Sequence, residues 1–152
     1  EACRELFTIA TQLPDVQFCV AGTVGEYFNG NAADVPENVL LIGRVSDAER
    51  LALVQAASCA LNPMSSGSGT NIKMLDYLAA GLPVLSTPTG ARGLEDIRDL
   101  FEIAEIESFH RIIPHLMKRS PSTIARQKIA GRYDWKVLGK AYAERITEVL
   151  TR

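Results

Sequence analysis

Asn62-Pro-Met-Ser-Ser-Gly-Ser-Gly-Thr-Asn-Ile-Lys-Met-Leu-Asp-Tyr-Leu-Ala-Ala-Gly-Leu-Pro-Val-Leu-Ser86 reads, in order, as a strand end, a glycine-rich loop, a helix, a stop at Gly81 and a buried strand. Gly67 and Gly69 keep side chains away from the loop backbone, and Thr70 or Asn71 can cap the helix that follows. The first-turn N–H groups of that helix lack intrahelical acceptors, and its dipole favours an anion at that end. At about 100° per residue, Ile72, Leu75, Leu78 and Ala79 fall on the core face, while Lys73, Asp76 and Ala80 fall on the other. Lys73 and Asp76 are three apart, so they can form a surface ion pair. Above an anion-binding loop they can instead divide the work, the cation to a phosphate and the carboxylate to sugar hydroxyls. No Gly-Lys-[Ser/Thr] follows the loop, which speaks against a Walker-type ATPase.

The same alternation continues on both sides. Strand-like apolar runs occur at Val16–Ala21, Val39–Ile42, Cys59–Leu61, Pro83–Ser86 and Phe101–Ala104. Several are continuous rather than alternating, as in parallel strands covered on both faces. Helical patterns lie between them at Ala2–Leu13, Asp47–Ala57, Asn71–Ala80 and Ser108–Lys118, with Ser46-Asp47 as an N-cap signal and Glu49 in the first turn. A βαβα order implies an α/β fold with a doubly wound, open parallel sheet of Rossmann-like type. Such a domain normally opens on a strand, and here the first element is a helix, so an initial strand and its loop are expected to be missing from the sequence. Thr23–Glu37 reads as a surface excursion. Two helices close the chain, Ser122–Gly131 and Trp135–Leu150. In the second, Leu138, Tyr142, Ile146 and Val149 form an apolar stripe that packs on the sheet edge or docks on a neighbouring domain.

At 152 residues the chain is one domain's worth. Its 47% hydrophobic and 22% charged residues are ordinary for a globular protein, and the net charge of -2 argues against a nucleic-acid-binding module. Every apolar run is cut by Gly, Pro or charge well short of the roughly 18 residues of a membrane span. Cys3, Cys19 and Cys59 are far apart, and Cys19 and Cys59 sit in apolar runs where cysteine behaves as a small hydrophobe. His110 and His115 are five apart on one helix, a poor ligand pair, so no metal site and a reducing, cytoplasmic setting are expected.

Two further loops follow strands. Gly22-Thr-Val-Gly25 lacks the third glycine of a dinucleotide fingerprint and reads as a tight turn. Gly43-Arg44-Val45 permits close backbone approach at Gly43, and Arg44 is either a solvated residue or a group that stacks on a base or reaches a phosphate.

With these residues in view, the chain resembles the nucleotide-sugar-binding domain of GT-B glycosyltransferases, in the retaining group 1/family 4 branch. The likeness rests on Asn62-Pro63, Gly67-Ser-Gly-Thr70, Ile72-Lys-Met-Leu-Asp76 and Ala79-Ala-Gly-Leu-Pro-Val-Leu-Ser-Thr87. It extends to Asn38–Asp47, Gly90-Ala-Arg-Gly-Leu94 and Tyr133-Asp-Trp135. The resemblance implies that residues 1–152 are an N-terminally truncated donor-binding domain whose acceptor domain lies outside this chain. It implies that a sugar passes from a nucleotide-diphosphate sugar to an acceptor sugar, lipid or other small molecule, with retention and without metal or other cofactor. Gly67, Ser68, Gly69, Thr70 and Asn71 would meet the diphosphate with Lys73 as charge partner, Asp76 would hold ribose, and Gly43, Arg44 and Val45 would border the base. In the family pattern a Glu stands where this chain has Ser68, and another where it has Asp76. The family's diphosphate-neutralising Arg and Lys lie near the first strand, and no catalytic residue is assigned here. The N-terminal GT-B domain would be the protein partner, nucleic acid would not be one, and the full-length protein would be cytoplasmic or peripheral to the inner membrane face. The alternatives are a nucleotide-sugar epimerase of the same architecture and a non-catalytic receiver-like α/β module.

Overall fold

The computed structural model describes residues 2–28, 35–67 and 69–151. Helix α1 (Ala2–Thr11) turns Leu6, Phe7, Ile9 and Ala10 inward at helical spacing. It is followed by β1 (Phe18–Ala21), the short α2 (Val24–Phe28) and β2 (Val39–Gly43). Then come α3 (Asp47–Ala56), β3 (Ala60–Asn62), α4 (Ile72–Ala79) and β4 (Val84–Ser86). A 3₁₀ segment (Glu95–Leu100) leads to β5 (Glu102–Ile103), α5 (Phe109–Leu116), α6 (Thr123–Tyr133) and α7 (Trp135–Leu150). The α2 turn lies inside the span read from sequence as a surface excursion, and its Phe28 is buried edge-on against Phe7 with ring centroids 5.1 Å apart. Residues 29–34 of that excursion lie outside the described residues.

All strand pairing is parallel, as the βαβ alternation implies. β1 pairs with β2, and β3, β4 and β5 follow in that order in a second ladder. Among the described residues no ladder joins β1 to β3, so the expected open sheet is present as two parallel pieces. They share one core: Phe18, Val39 and Leu85 pack with α1 and α5, and Val20, Cys59 and Leu61 pack partly against that cluster. A second core, built from Met74, Leu78, Val84, Leu94, Ile97, Ala125 and Ile129, lies under α4 and α6. Leu85 and Val84 enter different cores because successive strand residues point to opposite faces, which makes β4 the divider of an α/β/α arrangement.

Three sequence readings are corrected. β4 is buried along its whole length, but β1 and β2 are covered on one face only: Cys19 and Ala21 are exposed and Leu40 is 54% exposed. On α4 the core side is Met74 and Leu78, while Ile72 is 65% exposed; Met74 and Leu78, four apart, aim at β4 and α6. The apolar stripe of α7 does not pack on a sheet edge, since no residue of the helix is buried and Trp135 is 82% exposed.

Local chemistry explains the element ends. Ser46 and Glu49 form a reciprocal capping box on α3. Asn38 Nδ2 donates to the carbonyls of Ala10, Leu13 and Val16 at 2.9–3.0 Å, satisfying acceptors at the end of α1 and pinning it to the start of β2. Gly81 stops α4 with φ +78°. Its Cα hydrogens face Ser122 and Arg126 of the α6 start, Ser122 N–H donates to Gly81 O at 2.7 Å, and Arg126 donates to Ala80 O.

Candidate functional site

The glycine-rich loop lies at the carboxyl end of β3, where open α/β sheets place ligands. Gly67 and Gly69 take φ of +128° and +85°, conformations that L side chains rarely adopt, so the loop path requires both glycines. Ser68 lies outside the described residues. Thr70 is exposed, and Asn71 occupies the N-cap position of α4 without a side-chain capping bond. Its amide donates instead to Met64 Sδ and, at 3.4 Å, to Gly90 O. The capping role expected of Asn71 is therefore corrected: tertiary partners take its side chain, and no side chain covers the α4 amides from that position.

The loop after β4 closes on the loop after β3, a convergence that sequence spacing did not disclose. Asn62, fully buried at the end of β3, donates through Nδ2 to Ser86 Oγ (3.2 Å) and Gly90 O (3.0 Å). Thr87 Oγ1 donates to Met64 O and accepts from Gly90 N–H at 3.0 Å. A Cβ on Gly93 would lie 2.2 Å from Thr70 Oγ1, which measures how tightly the two loops meet. Arg92 spans them, donating from Nη2 to Gly67 O and from Nε to Thr89 O at 3.2 Å. The signal that could have found these residues is the run of small and hydroxylated side chains from Ser86 to Gly90, immediately beyond a buried strand.

Lys73 and Asp76 are both exposed on α4, as the helical wheel required. They do not form the local ion pair: Asp76 Oδ2 accepts from Arg50 Nη1 at 2.7 Å, joining α4 to α3. Although Lys73 keeps solvent access, the protein mass around its ammonium lowers its pKa below the ordinary lysine value, and the nearby Cys3 of α1 acts in the opposite sense. Burial raises the Cys3 thiol, with Lys73 opposing it. Four candidates, Gly69, Thr70, Asn71 and Lys73, thus cluster at the start of α4, and Asp76 follows one turn on.

Gly43, Arg44 and Val45 sit at the end of β2, in the other ladder. Gly43 has φ +74°, its carbonyl accepts from Gly22 N–H at 2.6 Å, and Arg44 Nε donates to Glu26 Oε1 at 3.2 Å. Val45 is partly buried. The connection to the first loop runs through α3, which starts just after Val45 and delivers Arg50 to Asp76. Chemically, the region offers helix-end amides, two cations (Lys73 and Arg92) and one carboxylate already engaged by an arginine. Among the described residues no cluster of three or more His, Cys, Asp or Glu side chains could hold a metal ion, and no helix is long and apolar enough to cross a membrane.

A family model described as "Glycosyl transferases group 1" matches residues 2–119. No curated protein matches the sequence. Among solved structures, the chain is similar to WaaG, a glycosyltransferase involved in lipopolysaccharide biosynthesis. The TM-score is 0.60 at 20% identity, over 84% of this chain and 36% of WaaG. At that identity the likeness carries the fold alone, and the chain spans little more than a third of the WaaG length.

Proposed function

Because the chain belongs to the glycosyl transferases group 1 family, we propose that it is the donor-binding domain of a GT-B enzyme that transfers a sugar from a nucleotide-diphosphate sugar. The observation that carries this reading is the start of α4: a loop bent by two positive-φ glycines delivers a helix end that Asn71 does not cap. An anion seated there meets unpaired N–H groups and the positive end of the helix dipole. Lys73 supports the same reading, since the charged form of a partly desolvated ammonium is what an incoming phosphate stabilises. Asp76 is the ribose acceptor in this reading; Arg50 engages Oδ2. Gly43, Arg44 and Val45 border the base, and Gly67 and Ser68 complete the phosphate loop.

In such a reaction the sugar–phosphate bond breaks through an oxocarbenium-like state while negative charge builds on the departing diphosphate. Preorganised amides and cations at that oxygen bind the transition state more tightly than the ground state, which is the role a metal ion plays elsewhere. Retention and metal independence are part of the proposal. So is a second, acceptor-binding domain in the full-length protein, for which the exposed stripe of α7 from Trp135 to Val149 is the docking face. The unpaired edges of β1 and β3 support an initial strand, contributed by residues ahead of Ala2, lying between the two ladders. The acceptor is a sugar, lipid or other small molecule.

The test is a transfer assay on the full-length protein with a panel of nucleotide sugars and acceptors, run with and without EDTA, with the product anomer read by NMR. Transfer that survives EDTA with retained configuration is the expected result. Donor turnover that needs no acceptor would indicate an epimerase, and binding of none of the donors would overturn the reading.

A further inference from the structure

We propose that Arg92 is a donor-contacting residue that supplies a cationic grip on the diphosphate. The inference rests on the donor-binding reading above and adds to it a residue outside the glycine loop and α4. Arg92 belongs to the loop after β4, yet its guanidinium is exposed against the loop after β3, held by Gly67 O and Thr89 O. The same pair of loops is fixed together by Gly93 against Thr70 and by Asn62 and Asn71 on Gly90 O. The cation is therefore placed by a packed junction rather than by its own flexible stem.

Guanidinium carries five N–H donors, and the two backbone contacts use Nε–H and one Nη2–H. Three donors in a planar fork remain, a set matched to two phosphate oxygens. Arg44, Arg50, Arg119, Arg132 and Arg145 are each paired with a carboxylate, whereas Arg92 has no carboxylate partner among the described residues. Glu95, two residues past Gly93, is turned to the Gly93 N–H at 2.9 Å. An uncompensated arginine clamped to the carbonyl of a glycine-rich loop, beside the start of α4, is set to meet an anion held by that loop. Its bond to Gly67 O also holds the loop carbonyl away from the phosphate, removing a repulsive acceptor from the site.

The experiment uses the full-length protein, wild type, Arg92→Gln and Arg92→Lys. Calorimetric titration with uridine, guanosine and adenosine diphosphates is paired with the corresponding nucleosides. Arg92→Gln is expected to weaken the best diphosphate about 10- to 100-fold while leaving its nucleoside within twofold, since only charge-assisted bonds to phosphate are lost. Arg92→Lys, which keeps charge without the fork, is expected to fall between. As a readout on the unaltered protein, phenylglyoxal modification of Arg92, followed by peptide mass spectrometry, is expected to slow when the diphosphate is bound and not when the nucleoside is bound. Unchanged diphosphate affinity in Arg92→Gln, or equal loss of nucleoside and diphosphate, would overturn the inference and leave the donor-binding reading standing. If Arg92→Gln does not fold, the wild-type protection pattern decides, and absence of protection overturns the inference. Failure of wild type to bind any of the diphosphates would overturn both.

Discussion

Replacing Gly93 by alanine tests whether the two loops are locked together as described. Two costs combine at this position. Gly93 has φ +77°, and a left-handed conformation costs an L-residue about 1–2 kcal/mol. The new methyl would also lie 2.2 Å from Thr70 Oγ1, 3.1 Å from its Cβ and 3.4 Å from its Cγ2. Rotating Thr70 about χ1 exchanges one crowded atom for another, because its Cβ is itself close. The overlap must therefore move the loop, at about 1–3 kcal/mol, for a total of about 2–5 kcal/mol. Gly43→Ala is the internal reference: its φ is +74°, but its Cβ meets nothing within 4 Å, so only the backbone term of about 1–2 kcal/mol applies. The assay is urea unfolding of wild type, Gly93→Ala, Gly43→Ala, Thr70→Gly and the Thr70→Gly/Gly93→Ala double variant. The cycle between Gly93 and Thr70 is expected to return a coupling of about 1–3 kcal/mol. Equal losses in Gly93→Ala and Gly43→Ala, with coupling below about 0.5 kcal/mol, would refute the loop contact and the geometry built on it.

Gly131→Ala in α6 meets nothing within 4 Å and is expected to stabilise by about 0.5–1 kcal/mol, read as a higher unfolding midpoint. Asp76→Ala should raise the donor KM by about 10-fold or more through loss of the sugar-hydroxyl acceptor, checked by initial rates in the full-length enzyme. Cys59, whose thiol burial pushes up to about 11, should resist iodoacetamide at pH 8.5 while the exposed Cys19 reacts first, as peptide mass spectrometry will show. Burial and the hydrogen bond to Asp96 push the Tyr133 phenol up to about 12, above its ordinary value near 10. Its contribution to stability is thus complete below pH 10 and lost as pH rises towards 12, and Tyr133→Phe should flatten that part of the pH–stability profile.

Much of the fold was legible because local chemistry and tertiary structure agree there. Ser46 and Glu49 cap α3 from adjacent positions, and the β–α order is reproduced in parallel ladders. The face of α4 was misread at its first turn. Ile72 is apolar and in phase with Leu75, but that turn projects beyond the end of β4 and α6 and has nothing to cover it, whereas Met74 lies over both. Cys19 and Leu40 fail for the same reason: an apolar residue in a strand reports a preference for burial, and only a covering layer grants it.

The sequence by itself determined the elements, the glycine-defined path of the loop before α4, and the placement of Lys73 and Asp76 on the polar side of that helix. Those depend on backbone sterics and on a 3.6-residue period, which are properties of neighbours in the chain. Tertiary structure alone decided that Arg50 takes Asp76 from 26 residues away, that Asn71 turns to Gly90 instead of capping its helix, and that Arg92 reaches Gly67 across two strands. Such partners are chosen by which loops the parallel order β3–β4–β5 brings to one end of the sheet, and that adjacency comes from long-range packing rather than local spacing.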